Sequence, residues 1–214
     1  MNAKLQLALD DVSLENALDL LDQVQECVDI VEIGTPFMMR YGVGVMEKIR
    51  RSYPGFSLLL DAKIMDAGSY EAEMGFSAGA DYVTVLGIAG DATISDVVRS
   101  AGKCGKKVVA DMICVRNLTE RARRLEELGV HVIAVHTGVD QQAQGRTPLQ
   151  DLIELSSAVT KTQVAVAGGI TAGSLEKYLI WRPDIVIVGG GILHAGDPAG
   201  AAKELKDRMK RFHM

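Results

Sequence analysis

Residues 58–68 read LLLDAKIMDAG, an apolar run that ends in a group of charged side chains. A run of leucines is typical of a strand that is buried on both faces, as in a parallel sheet. Asp61 and Lys63 lie two residues apart, so on a strand they point to the same side, and Asp66 follows in the loop. Because unpaired buried charges are unfavourable, these groups are expected to face one another, a metal ion or a polar ligand. A structural ion pair at a strand end is the alternative.

The same alternation of short apolar strands and helical patterns recurs along the chain. Strands are predicted at 5–9, 30–34, 56–61, 81–86, 107–111, 131–136, 164–167 and 185–188. Helices are predicted at 12–28, from Thr35 onwards, and at 69–78, 94–104, 118–128, 149–159, 174–179 and 199–212, with Ser13 as an N-cap and a polar loop at 137–147. Alternation predicts a parallel α/β sheet, and eight such units in one domain's length predict a single (β/α)8 TIM barrel over residues 1–214. A doubly wound open sheet is the alternative, disfavoured because the first strand is not followed by a glycine-rich turn.

Composition narrows the classes of protein. The 214 residues, 48% hydrophobic and 24% charged, fit one globular domain. A net charge of −5 without a long basic run argues against nucleic-acid binding, and no apolar stretch approaches the ~20 residues of a membrane span. The chain starts directly in a strand pattern, with no sign of a signal peptide. Cys27, Cys104 and Cys114 lack metal-ligand spacing, so reduced thiols in a cytoplasmic protein are expected.

Ionisable residues gather at the carboxyl ends of the predicted strands, the rim where barrels place their active sites. Taken singly, Asp10 is explained as an N-cap, Asp111 as a loop cap and His136 as a core histidine. Together on one rim they indicate a candidate active site. His131 starts its strand on the opposite rim and is predicted to be structural. The candidate set is Asp10, Glu32, Asp61, Lys63, Asp66, Asp111 and His136.

Two glycine clusters follow the last two strands, Gly168-Gly169-Ile170 and Gly189-Gly190-Gly191. Glycine lets the backbone approach an anion closely and direct its N–H groups towards it. Barrels often bind a phosphate group with the loops after strands seven and eight. The predicted phosphate ligands are therefore Gly168, Gly169, Ile170, Gly190 and Gly191. The alternative is that these glycines only form tight turns.

Glu32 and Asp61 are carboxylates on adjacent predicted strands, and oxygen ligands of this kind suit Mg²⁺. The alternative is that both simply pair with Lys63. A Schiff-base role for Lys63 is rejected, because Asp61 and Asp66 favour its charged form.

On these residues the chain resembles the orotidine monophosphate decarboxylase superfamily. The resemblance covers essentially the whole chain and rests on Asp10, Glu32, the Asp61-x-Lys63-x-x-Asp66 motif and the glycine turns. Glu32 and the loop at 135–145, VHTGVDQQAQG, are similar to the 3-hexulose-6-phosphate synthase branch. The resemblance implies a Mg²⁺-dependent aldolase that condenses formaldehyde with D-ribulose 5-phosphate, a phosphorylated ketopentose, through an enediolate, and catalyses the reverse cleavage.

The resemblance also implies a role for each rim residue. Asp10 would hold substrate hydroxyls, Lys63 would donate to the enediolate oxygens, and His136 would move the proton. Asp111 would orient His136 or a water molecule. In members of the superfamily, the residue matching Asp66 reaches the neighbouring subunit's site, which implies a homodimer with shared active sites.

Three other functions compete with this interpretation. The 3-keto-L-gulonate-6-phosphate decarboxylase branch shares the metal and the enediolate, but typically has glutamate in place of Asp111 and arginine in place of Val139 and Gly191. A non-catalytic phospho-ligand-binding barrel would need the glycines but not the charged cluster. An epimerase of ribulose 5-phosphate would need a histidine-containing metal site, and this rim offers only His136.

Overall fold

The computed structural model describes residues 3–212, so the outermost residues of the predicted 1–214 domain lie outside the described range. Eight parallel strands form a closed barrel in which each strand pairs with the next and the eighth pairs with the first. The predicted (β/α)8 barrel is confirmed, and the open sheet is wrong. The strands are β1 (Lys4–Leu9), β2 (Ile30–Ile33), β3 (Ser57–Ile64), β4 (Tyr82–Leu86), β5 (Lys107–Asp111), β6 (Val132–His136), β7 (Gln163–Ala167) and β8 (Ile185–Val188).

Helices connect the strands and cover the outside of the barrel. Ser13 caps the first helix as predicted, its Oγ accepting the Asn16 N–H at 3.2 Å. The helix predicted from Thr35 is two helices, separated at Gly42, whose φ of 72° ends the first of them. The loop predicted at 137–147 contains a short helix. The helices are α1 (Leu14–Val24), α2 (Thr35–Tyr41), α3 (Gly44–Ser52), α4 (Gly68–Ser77), α5 (Asp91–Cys104), α6 (Leu118–Glu127), α7 (Val139–Gln142), α8 (Leu149–Ala158), α9 (Glu176–Leu179), α10 (Gly190–Leu193) and α11 (Pro198–Phe212).

Apolar side chains on both faces of the strands form the core. Leu58 and Leu60 point outwards and pack under the helices, whereas Leu59 points into the barrel and packs with Tyr82 and Val109. The leucine run is therefore buried on both faces, as predicted. No helix within residues 3–212 is long and apolar enough to cross a membrane. The three cysteines carry free thiols.

The amino-end rim repeats one hydrogen bond four times. The residue just before each even-numbered strand accepts, through its side chain, a backbone N–H from the preceding odd-numbered strand. The four pairs are Asp29 with Leu5 at 2.7 Å, Asp81 with Leu58 at 2.9 Å, His131 with Val108 at 3.2 Å and Asp184 with Val164 at 2.8 Å. This confirms that His131 is structural. His131 is the member of the set that carries an imidazole, where the other three carry carboxylates.

We expect the His131 contact to make stability depend on pH. Burial, helped by the charge of Lys107, lowers the pKa of His131, so the folded protein favours the neutral ring. The hydrogen bond between His131 and Val108 therefore contributes fully to folding stability above the unfolded pKa of about 6.5. This stability is lost as pH falls through the lower pKa of His131 in the folded protein, because a protonated Nδ1 cannot accept the Val108 N–H. Thermal unfolding between pH 7 and pH 5 measures this loss.

His131→Asp is the matched variant, since it introduces the acceptor used at the other three positions. Its melting temperature should fall less than that of the wild type between pH 7 and pH 5. His194→Gln, at a solvent-exposed position, serves as the control. Identical pH profiles for the wild type and His131→Asp would contradict this account.

Candidate active site

Four of the predicted site residues form a continuous chain across the carboxyl-end rim. The Lys63 ammonium forms an ion pair with Oδ2 of Asp61. It also lies 3.5 Å from Oδ2 of Asp111. The same Asp111 oxygen is 2.8 Å from Nδ1 of His136, which joins β3, β5 and β6 through charged groups. The predicted interaction of Asp111 with His136 is therefore present.

The backbone of β3 is irregular where it carries these charges. Leu60 pairs with Val83 and Ile64 pairs with Val85, so three residues of β3 face the single residue Thr84 of β4. Lys63 itself has a φ of 48°, in the left-handed region that non-glycine residues seldom adopt. Asp61 and Lys63 do meet as predicted, but through a bulge rather than through regular alternation, and the strand extends to Ile64 instead of ending at Asp61. Such bulges often redirect side chains at active sites.

Three polar residues that the sequence interpretation missed hold the two predicted metal-binding carboxylates. Thr84 Oγ1 donates to Oδ1 of Asp61 at 2.8 Å, and Thr35 Oγ1 donates to Oδ2 at 2.9 Å. Gln6 Nε2 donates to Oε2 of Glu32 at 2.6 Å. The sequence could have revealed two of the three, because Gln6 and Thr84 are each a polar residue at an inward-facing position of an apolar strand.

The electrostatics of the rim are dominated by buried carboxylates. Burial, together with the charges of Asp61 and Asp10, raises the pKa of Glu32 well above its usual range. Burial and Asp61 also raise the pKa of Asp10. Burial alone would lower the pKa of Lys63, but Asp61 and Asp111 outweigh it and the net pKa is raised. A lysine held in its charged form agrees with the rejection of a Schiff base.

Asp111 behaves differently from the other carboxylates. Burial would raise its pKa, but the hydrogen bond from His136 and the charges of His136 and Lys63 lower the net pKa. Asp111 is therefore an ionised group that can fix the ring of His136. The same arrangement leaves Nε2 of the ring available for proton transfer.

The rim offers few ligands for a metal ion such as Mg²⁺. No group of three or more His, Cys, Asp or Glu side chains within residues 3–212 is placed to enclose a metal ion. Mg²⁺ is usually bound by only one or two carboxylates, with water and substrate oxygens completing its shell. Glu32 and Asp61 fit that pattern, and a bound cation would offset the burial and the charges of Asp61 and Asp10 that raise the pKa of Glu32. The alternative pairing with Lys63 is present for Asp61, whereas Glu32 is hydrogen-bonded by Gln6.

Asp10 lies next to the β2–α2 turn. A Cβ added at Gly34 would lie 1.9 Å from Oδ1 of Asp10, so glycine leaves the space that this carboxylate occupies. Asp10 is not the cap of α1, since Ser13 has that role. Within residues 3–212 its carboxylate accepts no hydrogen bond, so both oxygens are available as acceptors.

Asp66 stands apart from the chain of charges. It is exposed, and its Oδ1 accepts the N–H of Ala67 at 2.8 Å. The expectation that Asp66 flanks Lys63 is not met within this subunit, where Asp111 is the second carboxylate beside the ammonium.

The two glycine turns lie side by side on the rim. Gly168 and Gly169 have φ angles of 125° and 62°, which favour glycine over other residues. A Cβ added at Gly191 would lie 2.2 Å from the carbonyl oxygen of Ile170, so the turns pack directly on each other. The backbone N–H groups of Gly169, Ile170, Gly190 and Gly191 donate no hydrogen bond to any residue in the described part of the chain. Tight packing thus explains part of the glycine pattern, and the free amides are suited to an anion.

The β6–α8 loop covers the first glycine turn. Gln142 Nε2 donates to the carbonyl of Thr137 at 2.7 Å. A Cβ added at Gly169 would lie 2.9 Å from Oε1 of the same Gln142 side chain. Val139 starts α7 and is 80% exposed. The loop therefore joins the His136 side of the rim to the glycine side.

One surface groove lies along α6, away from the predicted site residues. It has a volume of about 540 Å³ and includes Arg123, Arg124 and Glu154. Arg124 there is paired with Asp91 and Glu127. None of the predicted site residues lines this groove.

Known proteins of one family are similar to this chain over nearly its whole length. The family model described as orotidine 5′-phosphate decarboxylase / HUMPS family matches residues 3–205. The chain is 44% identical to a 3-hexulose-6-phosphate synthase of Staphylococcus saprophyticus over 97% of this chain and 99% of that protein. It is 43% identical to the one of Bacillus subtilis over 95% of this chain and 97% of that protein.

Solved structures of two named proteins share this fold. The 3-hexulose-6-phosphate synthase of Salmonella typhimurium superposes with a TM-score of 0.95 at 49% identity, covering 98% of this chain and 100% of that one. A complex of KGPDC from Streptococcus mutans gives a TM-score of 0.90 at 26% identity, covering 98% of each chain.

Proposed function

The chain belongs to the orotidine 5′-phosphate decarboxylase / HUMPS family, and from that premise we propose that it is a 3-hexulose-6-phosphate synthase. This enzyme is an aldehyde-lyase that condenses formaldehyde with D-ribulose 5-phosphate and, by microscopic reversibility, cleaves the product. The observation that carries the proposal is the Asp61–Lys63–Asp111–His136 chain of contacts. It places an acid–base group beside a fixed cation, and relatives that share 43–45% identity over nearly the whole chain bear the synthase name.

The residues of the rim divide the reaction between them. His136, oriented through Nδ1 by Asp111, takes the proton from the carbon next to the ketone. Lys63 donates to the oxygens on which negative charge develops, and Asp10 accepts from substrate hydroxyls. The carbanionic carbon then attacks formaldehyde, and the new alkoxide takes up a proton. Mg²⁺ held by Glu32 and Asp61 would supply Lewis-acid stabilisation of the same negative charge.

The phosphate group is assigned to the paired glycine turns. The free N–H groups of Gly169, Ile170, Gly190 and Gly191 point to an anion, and Gly168 gives the turn its shape. In this proposal the phosphate binds at the β7 and β8 ends, and the reacting end of the sugar extends across the rim to Lys63 and His136. This supports a phosphorylated sugar as the substrate class.

The decarboxylase branch is the second candidate, and the geometry favours it less. A side chain at position 191 would meet the Ile170 carbonyl at 2.2 Å from its Cβ, so the decarboxylase arginine requires a shifted loop. Val139 is apolar and exposed, and it can neither donate a hydrogen bond nor carry charge. Asp111, one methylene shorter than glutamate, already reaches His136 and Lys63.

Purified protein supplied with Mg²⁺ tests the assignment directly. We expect turnover of formaldehyde plus ribulose 5-phosphate and only trace decarboxylation of 3-keto-L-gulonate 6-phosphate. The reverse preference would make the protein a decarboxylase. Binding of ribulose 5-phosphate without either reaction would support the non-catalytic phospho-ligand barrel instead.

We further propose that the protein is a homodimer with shared active sites. Exposed apolar side chains surround Asp66 along the chain, namely Met65 at 51%, Tyr70 at 70% and Met74 at 48% exposure. Apolar residues this concentrated on a surface are typical of an interface. An exposed carboxylate within it is placed to reach a neighbouring subunit.

Mixing two inactive variants tests the shared site. Asp66→Ala subunits and Lys63→Ala subunits, refolded together, should regain about a quarter of wild-type activity, since half of the dimers are mixed and each has one intact site. Size-exclusion chromatography with light scattering checks that both variants still dimerise. Mixed dimers as inactive as their parents would place the function of Asp66 in its own subunit, or nowhere.

A further inference from the structure

We propose that Thr84 is a positioning residue that sets Asp61 and Lys63 for catalysis, an inference that rests on the proposed function of the rim. Thr84 belongs to β4, a strand that contributes none of the proposed catalytic, metal or phosphate ligands. It is 5% exposed, and its side chain points into the barrel beneath the charged cluster.

The Thr84 hydroxyl makes two hydrogen bonds, and their directions are fixed by chemistry. Oγ1 accepts the backbone N–H of Lys63 at 2.8 Å. It donates its only hydrogen to Oδ1 of Asp61 at 2.8 Å, because an ionised carboxylate can only accept. One side chain therefore connects the main chain of Lys63 to the carboxylate of Asp61.

The bulge in β3 explains why this connection is needed. Between the Leu60–Val83 and Ile64–Val85 pairs, residues 61–63 face Thr84 alone. The Lys63 N–H accordingly bonds to a side chain instead of to a β4 carbonyl. Lys63 keeps a φ of 48° at this point, which L-residues seldom adopt without support from their surroundings. The backbone turn that aims the ammonium at Asp61 and Asp111 thus rests on the Thr84 hydroxyl.

The hydroxyl also fixes one oxygen of a proposed metal ligand. Thr84 donates a hydrogen bond to Oδ1 of Asp61, while Oδ2 accepts one from Thr35 and forms the ion pair with Lys63. Both oxygens of the carboxylate are therefore fixed in place. Groups that hydrogen-bond a metal ligand in this way typically change metal affinity or activity by about 10–100-fold when removed. Valine would fill the same space and suit a strand, so packing alone does not require threonine here.

The test compares Thr84→Val, which keeps the shape and loses the hydroxyl, with Thr84→Ser, which keeps the hydroxyl. Ser100→Ala is the matched control, because it removes a buried hydroxyl that bonds Ser69 and Glu73 between α4 and α5. Three quantities are measured for each protein: the melting temperature, kcat and KM for ribulose 5-phosphate, and the affinity for Mn²⁺ alone by electron paramagnetic resonance.

We expect Thr84→Val to lower kcat by about 10- to 100-fold with little change in KM, since the phosphate turns follow β7 and β8, across the closed barrel from β4. Mn²⁺ affinity should fall by about 10-fold. Thr84→Ser should restore both quantities, and Ser100→Ala should lower only the melting temperature. If Thr84→Val keeps the wild-type kcat and Mn²⁺ affinity, or if Ser100→Ala loses activity equally, the positioning role is overturned.

The two proposals fail separately. A wild-type protein without aldol activity refutes the proposed function, whereas a Mn²⁺ affinity that falls in Thr84→Val and returns in Thr84→Ser still supports the positioning of Asp61. An active wild type with an equally active Thr84→Val variant refutes only the role of Thr84.

Discussion

Removing divalent cations should reduce turnover by about 1,000-fold or more, and Mg²⁺ should restore it. A Lewis acid contributes several kcal/mol to stabilising negative charge, and each 1.4 kcal/mol corresponds to about a factor of ten in rate. The rim itself carries four carboxylates, Asp10, Glu32, Asp61 and Asp111, against the single ammonium of Lys63. The measurement is kcat/KM after dialysis against EDTA, before and after Mg²⁺ is returned.

Glu32→Gln extends this prediction to one residue. The substitution keeps the shape and the hydrogen bond from Gln6 but removes the charge, so activity should fall as far as it does in EDTA. The melting temperature, in contrast to the activity, should not fall. Because burial, Asp61 and Asp10 raise the pKa of Glu32, its charged form is unfavourable in the folded protein, and the variant in EDTA should melt no lower than the wild type.

Asp61→Asn is the matched contrast for Glu32→Gln. It removes a charge that Lys63 and Thr84 stabilise, so it should lose both activity and melting temperature. Full activity of the wild type in excess EDTA would contradict the proposed dependence on a divalent cation. A Glu32→Gln variant that melts well below the wild type would show that the Glu32 charge stabilises the fold.

The sequence predicted the barrel and its active rim because both follow from short-range patterns. Strand periodicity separates the two faces of each strand, and barrel topology brings the carboxyl ends together. Asp61, Lys63, Asp111 and His136 could therefore be grouped correctly although they lie on three strands. The pairing of Asp111 with His136 was among the predicted roles, and the structure contains it at 2.8 Å.

The parts that the sequence did not predict depend on backbone irregularity and cross-strand contacts. The bulge at residues 61–63 has no glycine or proline signal, and Lys63 adopts its left-handed φ through a hydrogen bond to a different strand. Thr35 and Thr84 are ordinary residues for a helix start and a strand, so only the folded structure shows that both hydrogen-bond to Asp61. The split of α2 from α3 was missed although Gly42 and Gly44 mark it, because the helical pattern resumes directly after them.

His136 should be the group that removes the proton from ribulose 5-phosphate. His136→Asn keeps a side chain that can hydrogen-bond to Asp111 but has no ring nitrogen to take a proton. General acid–base groups typically contribute about 10²–10⁴-fold, so the rate of the proton step should fall by that factor. The direct measurement is exchange of the substrate proton in D₂O without formaldehyde, followed by proton magnetic resonance.

Asp111→Asn separates orientation from proton transfer. The variant keeps the base but removes the carboxylate that receives Nδ1–H, so the ring is no longer held with Nε2 unprotonated. Exchange should therefore slow in this variant. Because Lys63 lies 3.5 Å from the same carboxylate, Mn²⁺ affinity should be measured alongside to detect any wider change in the cluster. If exchange continues at the wild-type rate in His136→Asn while Asp111→Asn abolishes it, Asp111 is the base and His136 only orients it.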